Sequence, residues 1–245
     1  MSGHSKWATT KRAKAIVDAK KGAIFTKVSN LITMAAREKG GDPSTNFTLR
    51  IAVEKARAAN MPKDNIERAI KRGTGELAGA SIEELIYEGL GPAKSQFIVK
   101  CLTDNKNRTA STVRHIFSKA GGSFGAVGWN FQIKGVLLIS NFQFPPIRGH
   151  AISNMEEFEL ELIDAGADDV TREDGGMTIL TKPEDLQKVK NFLESKNIAT
   201  QSAEIEYVAK DKMSISDEEK IQIEKFIDEL EDNEDVSDYF TNVDI

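Results

Sequence analysis

The stretch NMPKDNIERAIKRGTG, residues 60–75, carries a complete set of helix signals. Pro62 suits the first position of a helix, because its missing N–H would have no partner there. An acidic residue follows in the first turn, and Lys71 and Arg72 occupy the last turn, which is the order that the helix dipole favours. Gly73 then suits a C-terminal cap. The stretch therefore predicts a short helix with a basic polar face.

More helices are predicted upstream of this stretch. Apolar residues recur at helical spacing from Ile24 onward. Asp42 and Pro43 favour the start of a second helix, with Asp42 as its N-cap. Residues 8–20 form a possible further helix with a thin apolar stripe. Residues 1–79 therefore read as an all-α domain.

Charge is distributed very unevenly along the chain. Residues 1–75 hold 16 Lys or Arg and 6 Asp or Glu, a net charge of +10, although the whole chain has a net charge of −5. The remaining 170 residues hold 17 basic and 32 acidic residues, a net charge of −15. A basic module within an acidic protein indicates that one surface meets a polyanion.

Residue types that carry catalysis or bind metals are sparse. The histidines are His4, His115 and His150, and the sequence has no zinc, EF-hand or nucleophile-elbow motif. The one cysteine, Cys101, excludes internal disulfides and fits a reducing compartment. No apolar run is long enough to span a membrane. We therefore expect a cytoplasmic protein that is not an enzyme, with no metal, cofactor, membrane partner or small-molecule substrate.

After residue 79 the pattern changes to alternating strands and helices. SQFIVKCLT, GMTILT and SAEIEYVAK are typical of strands, and Ser216 with Glu219 forms a capping box at the start of the last helix. The sequence therefore predicts an α+β multidomain fold, in which an N-terminal all-α helical domain is followed by two α+β domains of split βαβ-like type.

These segments resemble the YebC/PmpR family. The resemblance lies in SGHSKWA, IFTKVSNLI, NMPKDNIERAIKRGTG, TDNKNRTAS, GWNFQIKGVL and LEDNEDVSDYFTNVDI, which are spread from end to end, whereas residues 140–158 depart from the family pattern. Bacterial members are described as probable transcriptional regulators and mitochondrial relatives as translational activators. The resemblance implies that the third domain is inserted into the second, with domains at 1–79, at 80–131 plus 204–245, and at 132–203.

Candidate nucleic-acid-binding residues fall into three groups. The basic N-terminal segment has enough cations to contact several phosphates, and its tryptophan can stack on an exposed base. The basic face of the helix after Pro62 is the second group. The third is the TDNKNRTAS loop, where a helix N-terminus attracts anions, although simple capping by Asn107 or Thr109 also explains it. The candidates are His4, Lys6, Trp7, Lys11, Arg12, Lys14, Lys20, Lys21, Lys27, Lys63, Arg68, Lys71, Arg72, Asn107 and Arg108.

We expect a non-enzymatic regulator of gene expression that binds nucleic acid, and three versions stay open. The family resemblance favours a transcriptional regulator that binds DNA. The absence of a clear helix-turn-helix pattern, together with the thin basic arm, favours a ribosome-associated translation factor that binds ribosomal or messenger RNA. The third version is a protein-interaction scaffold whose surface is the acidic domains. The oligomeric state is not indicated.

Overall fold

A computed structural model describes residues 21–79, 81–140, 155–173 and 176–244. The helical domain begins with α1 (Lys21–Lys39), followed by α2 (Phe47–Ala58) and α3 (Lys63–Gly73). The elements that follow are, in chain order, β1 (Glu83–Leu90), β2 (Gln96–Thr103), α4 (Lys106–Lys119), β3 (Ser123–Phe124), β4 (Phe131–Ser140), α5 (Met155–Ala165), β5 (Ala167–Glu173), β6 (Gly176–Thr181), α6 (Leu186–Ser195), β7 (Ser202–Ala209), α7 (Asp217–Asp232) and β8 (Val236–Thr241).

Helix α2 begins later than the sequence pattern predicts. Its N-cap is Asn46 and not Asp42: the Asn46 Oδ1 accepts from the Leu49 N–H at 3.0 Å. The buried Asn46 amide also donates to the Ala35 and Gly40 carbonyl oxygens, each at 2.8 Å, so it satisfies the end of α1 as well. An aspartate has no donor for those carbonyls. Asp42 instead accepts from the Ser44 N–H, which lowers the pKa of the Asp42 carboxyl.

Gly73 does not act as the left-handed cap that the sequence suggests. It is the last residue of α3, and the left-handed conformation lies at Gly75, with φ of 82°. A Cβ on Gly73 would lie 2.4 Å from the Thr33 carbonyl oxygen and 2.7 Å from the Ala36 Cβ. Gly73 therefore permits a close approach of α3 to α1. The predicted helix is confirmed, but the prediction that Gly73 forms its C-terminal cap is wrong.

The middle domain is a four-stranded sheet covered by α4 and α7. Its strand order is β3-β1-β2-β8, and neighbouring strands are antiparallel. Phe117 of α4 and Phe97 of β2 both meet Phe226 of α7 edge to face, with ring centroids 5.0 and 4.9 Å apart. Since β8 lies at the far end of the sequence and pairs with β2, the C-terminal segment returns to this sheet.

Residues 131–210 form a compact unit of their own, and the helical and middle domains together form a second unit. The inserted sheet has the order β5-β6-β4-β7 with antiparallel neighbours. The α+β architecture with an inserted domain is confirmed. One limit differs: β7 pairs with β4 along its full length, so residues 204–209 lie in the inserted sheet and not in the middle domain. The other predicted limits stay predictions.

Asp235 ties the start of α4 to the segment between α7 and β8. Its side chain is only 9% exposed and accepts from Arg108 Nη2 at 2.8 Å, from Arg108 Nε at 3.2 Å and from Thr109 Oγ1 at 2.9 Å. The hydrogen bond to this carboxylate raises the pKa of the Arg108 guanidinium above its ordinary value. Arg108 also contacts Asp104, whose side chain is 44% exposed.

We expect Asp235→Ala to lower the free energy of unfolding by about 2 kcal/mol, because it removes several charge-assisted hydrogen bonds at a buried site. Asp104→Ala is the matched control, since it removes an exposed partner of the same arginine and should cost less than about 0.5 kcal/mol. Urea unfolding followed by circular dichroism measures both. Equal losses for the two variants would contradict the central role of Asp235.

Candidate nucleic-acid interface

The structure places the predicted site residues in three different situations. Of these candidates, His4, Lys6, Trp7, Lys11, Arg12, Lys14 and Lys20 lie outside the described residues. Lys21 is the first residue of α1. The remaining candidates lie on α1, on α3 and at the start of α4.

Helix α3 turns an apolar face inward and a basic face outward. Ile66 and Ala69 are buried in the core of the helical domain. The exposed residues include the four predicted cations Lys63, Arg68, Lys71 and Arg72. Lys63 Nζ lies 3.5 Å from the Glu67 carboxylate in an exposed pair, which holds it only weakly. Among the described residues, Arg68, Lys71 and Arg72 have no ion-pair partner.

Arg68 and Arg72 line a cavity between α3 and α1, which we call the α1–α3 cavity. They are separated by one helical turn and so lie on the same side of α3. The volume of the cavity is about 260 Å³. Its lining is polar apart from three apolar side chains, and the described lining contains no carboxylate. The lining residues are Phe25, Thr26, Ser29, Asn30, Met61, Asn65, Arg68, Ala69 and Arg72.

A second cavity, of about 430 Å³, extends from the first toward the start of α4, and we call it the α4-side cavity. The two cavities share Thr26, Asn30 and Arg72. The other lining residues of the α4-side cavity are Thr33, Ala78, Gly79, Ile82, Thr103, Asp104, Arg108, Glu234 and Asp235. The fold therefore brings together Arg72 and Arg108, which are far apart in the sequence, along one polar cleft.

Two of the predicted cations are already engaged by the protein. Lys27 Nζ donates to the Glu231 carbonyl oxygen at 2.6 Å, at the C-terminal end of α7, where a positive charge is favoured. Arg108 is held by Asp235 and Asp104. Lys27 therefore links the helical domain to the middle domain, and Arg108 stabilises the middle domain itself. Both cations have less capacity for phosphate than Arg68 and Arg72.

The N-cap of α4 differs from both of the predicted caps. Asn105 caps the helix: its Oδ1 accepts from the Arg108 N–H at 3.1 Å. Thr109 is buried, and its one hydroxyl proton is shared between the Asn105 carbonyl oxygen at 3.0 Å and the Asp235 carboxylate at 2.9 Å. Asn107 is exposed in the first turn. The structure thus accounts for this loop mainly through capping and the Asp235 network, and Asn107 stays a prediction as a nucleic-acid contact.

The sequence reasoning missed the uncharged half of the α1–α3 cavity. Thr26, Ser29, Asn30 and Asn65 add hydroxyl and amide groups to the two arginines. The segment IFTKVSNLI holds three of these residues at helical spacing beside apolar positions, so a polar stripe on α1 was available as a signal. What the stripe faces depends on the packing of α3, which the sequence pattern does not give.

The thiol in the described residues is not activated as a nucleophile. Cys101 is fully buried in β2, and this burial raises the pKa of its thiol to about 12. His115 is exposed on α4. In residues 21–79, 81–140, 155–173 and 176–244, no group of three metal-ligating side chains comes together, and none of their helices combines the length and apolarity that a membrane crossing requires.

Comparison with known proteins places the chain in a family. The model of the TACO1/YebC protein N-terminal domain matches residues 5–76, and the model of the TACO1/YebC second and third domain matches residues 82–243.

Individual relatives agree with these family models. A probable transcriptional regulatory protein from Thermoanaerobacter pseudethanolicus is 47% identical, and the match covers 100% of this chain and 98% of the relative. Another from Caldanaerobacter subterraneus is 46% identical, and the match covers 100% of this chain and 99% of the relative. The crystal structure of a conserved hypothetical protein from Aquifex aeolicus shares 38% identity and superposes with a TM-score of 0.79, covering 94% of this chain and 92% of the other. The chain therefore belongs to the TACO1/YebC family.

Proposed function

We propose that this protein is a non-enzymatic regulator of gene expression that binds nucleic acid, with DNA as its first target, through its basic helical domain. Relatives that match it along their whole length are named probable transcriptional regulatory proteins. These names support DNA over RNA as the target.

One observation carries the proposal. Arg68 and Arg72 lie one turn apart on an exposed face, line a polar cavity and lack an ion-pair partner among the described residues. Arginine presents a planar fork of donors that suits phosphate oxygens. Lys63 and Lys71 on the same helix extend the positive face.

The negative charge of the inserted domain supports nucleic-acid binding through the helical domain. Residues 131–210 hold 8 basic and 14 acidic residues, so their net charge is −6. A polyanion is repelled by such a surface and attracted by the helical domain. The regulator therefore meets nucleic acid with one domain, and its α+β domains stay available for other contacts.

Binding measurements at about 0.1 M salt test the proposal, because screening at that ionic strength resembles physiological conditions. A DNA regulator should bind a selected duplex about 10³-fold or more tightly than a random duplex. The same protein should be sedimented with bacterial ribosomes in parallel. Ribosome binding without duplex selectivity would replace DNA by RNA as the target. Absence of binding to duplex, single strand and ribosome would contradict nucleic-acid binding and leave the scaffold version.

A further inference from the structure

The α1–α3 cavity and the α4-side cavity form one cleft whose two ends differ in charge. At the α3 end, Arg68 and Arg72 are the charged residues in the described lining. At the α4 end, the lining includes the carboxylates of Asp104, Glu234 and Asp235 together with Arg72 and Arg108. Between the ends lie the shared uncharged side chains Thr26 and Asn30. A phosphate therefore fits the first end, whereas at the second end carboxylates outnumber arginines and Arg108 is held by Asp104 and Asp235.

The carboxylates at the α4 end are not equivalent. Asp235 accepts from Arg108 and Thr109, and Asp104 also pairs with Arg108. Glu234 is exposed, and within the described residues its carboxylate has neither an ion pair nor a hydrogen bond. Within the described residues its two oxygens are therefore free acceptors, and they suit a group that presents N–H donors.

We propose that this cleft binds one nucleotide that is not engaged in base pairing. Its phosphate lies at Arg68 and Arg72, and its base presents an exocyclic amino group to Glu234. A carboxylate accepts well from the amino group of cytosine, whereas it faces an oxygen acceptor at the same position of uracil. The cleft therefore prefers cytidine to uridine. This inference rests on nucleic-acid binding by the helical domain, as proposed above, and adds to it an unpaired nucleotide, which lies in a single strand or is turned out of a duplex, and the base that is read.

Fluorescence anisotropy with short single-stranded oligocytidine and oligouridine of equal length tests the inference on the full chain. We expect oligocytidine to bind about fivefold or more tightly than oligouridine. Glu234→Gln should bring the two affinities to within about twofold of each other, since the amide offers a donor as well as an acceptor. Glu218→Gln, the same chemical change on an exposed residue of α7, should keep the preference.

Arg72→Gln tests the phosphate end of the cleft, because it removes a positive charge there. It should weaken both oligonucleotides by a similar factor and lower the slope of the salt dependence by about 1. Cytidine monophosphate and uridine monophosphate should be tested alongside. A preference for the cytidine nucleotide by itself would support the site and identify a free nucleotide as its source; a preference limited to the oligonucleotides would identify a strand.

Two outcomes would overturn the inference. If wild type binds both oligonucleotides equally, or if Glu234→Gln keeps the preference, the base is not read by Glu234. In either case, a lower oligonucleotide affinity of Arg72→Gln would still support nucleic-acid binding by the helical domain. If neither the oligonucleotides nor a duplex bind, the proposed function fails together with the inference.

Discussion

Replacing both Arg68 and Arg72 by glutamate is expected to weaken nucleic-acid binding by on the order of 100-fold at about 0.1 M salt. Each arginine that contacts a phosphate releases counterions on binding, so the double variant should also lower the slope of log affinity against log salt by about 2. Because both side chains are exposed and lack an ion-pair partner among the described residues, their replacement should leave the fold intact. Electrophoretic mobility shift over a salt series measures both quantities.

The matched control for this experiment is Lys182→Glu with Lys188→Glu. Both lysines are exposed in the unit of residues 131–210, and their replacement changes the net charge by the same amount. We expect the control to lower affinity less than about threefold, because screening weakens long-range repulsion at this salt. Equal losses in the two double variants would show that only net charge matters and would contradict a site at α3.

Gly73→Ala is expected to destabilise the helical domain by about 3 kcal/mol, because the new Cβ would overlap the Thr33 carbonyl oxygen and crowd the Ala36 Cβ. One of the clashing atoms belongs to the backbone of α1, so a change of side-chain rotamer cannot relieve the contact. Helix α3 must then move away from α1, which should also weaken nucleic-acid binding by disturbing the α1–α3 cavity. Native-state amide exchange in α1 and α3 measures the loss.

Gly22→Ala is the control for this substitution. Gly22 lies in the first turn of α1, and a Cβ built there meets no atom within 4 Å. Alanine is the better helix former, so we expect this variant to be neutral or more stable by up to about 1 kcal/mol. If Gly73→Ala were as well tolerated as Gly22→Ala, the close approach of α3 and α1 would not explain the glycine.

The structure confirms the predicted elements whose sequence signals act over only a few residues. The helix signals of residues 60–75 and the capping box of Ser216 and Glu219 act within a few residues, and the structure confirms α3 and the cap of α7. The start of α2 was wrong because Asn46 is selected by carbonyls of Ala35 and Gly40, which reach it only after the chain has folded back. The role of Gly73 was missed for the same reason.

The strand β5 and the cleft show a second limit of sequence patterns. The segment ADDVTRE is an edge strand in which Ala167 is the one buried residue among those described, so it lacks the apolar run that predicts a strand. The cleft joins side chains of α1, α3, the start of α4 and the segment after α7. The sequence identified Arg68, Arg72 and Arg108 as candidates, but it could not show that Asp235 engages Arg108 while the other two have no ion pair in the described part of the chain.

Amide hydrogen exchange of the full chain, with and without nucleic acid, tests most directly whether the helical domain is the binding surface. Random duplex DNA and single-stranded RNA should be added separately at saturating concentration. Binding at the proposed surface predicts slower exchange in residues 22–33 and 63–75 and unchanged exchange in residues 155–173 and 176–210. Slower exchange confined to the inserted domain, or no change with either nucleic acid, would contradict it.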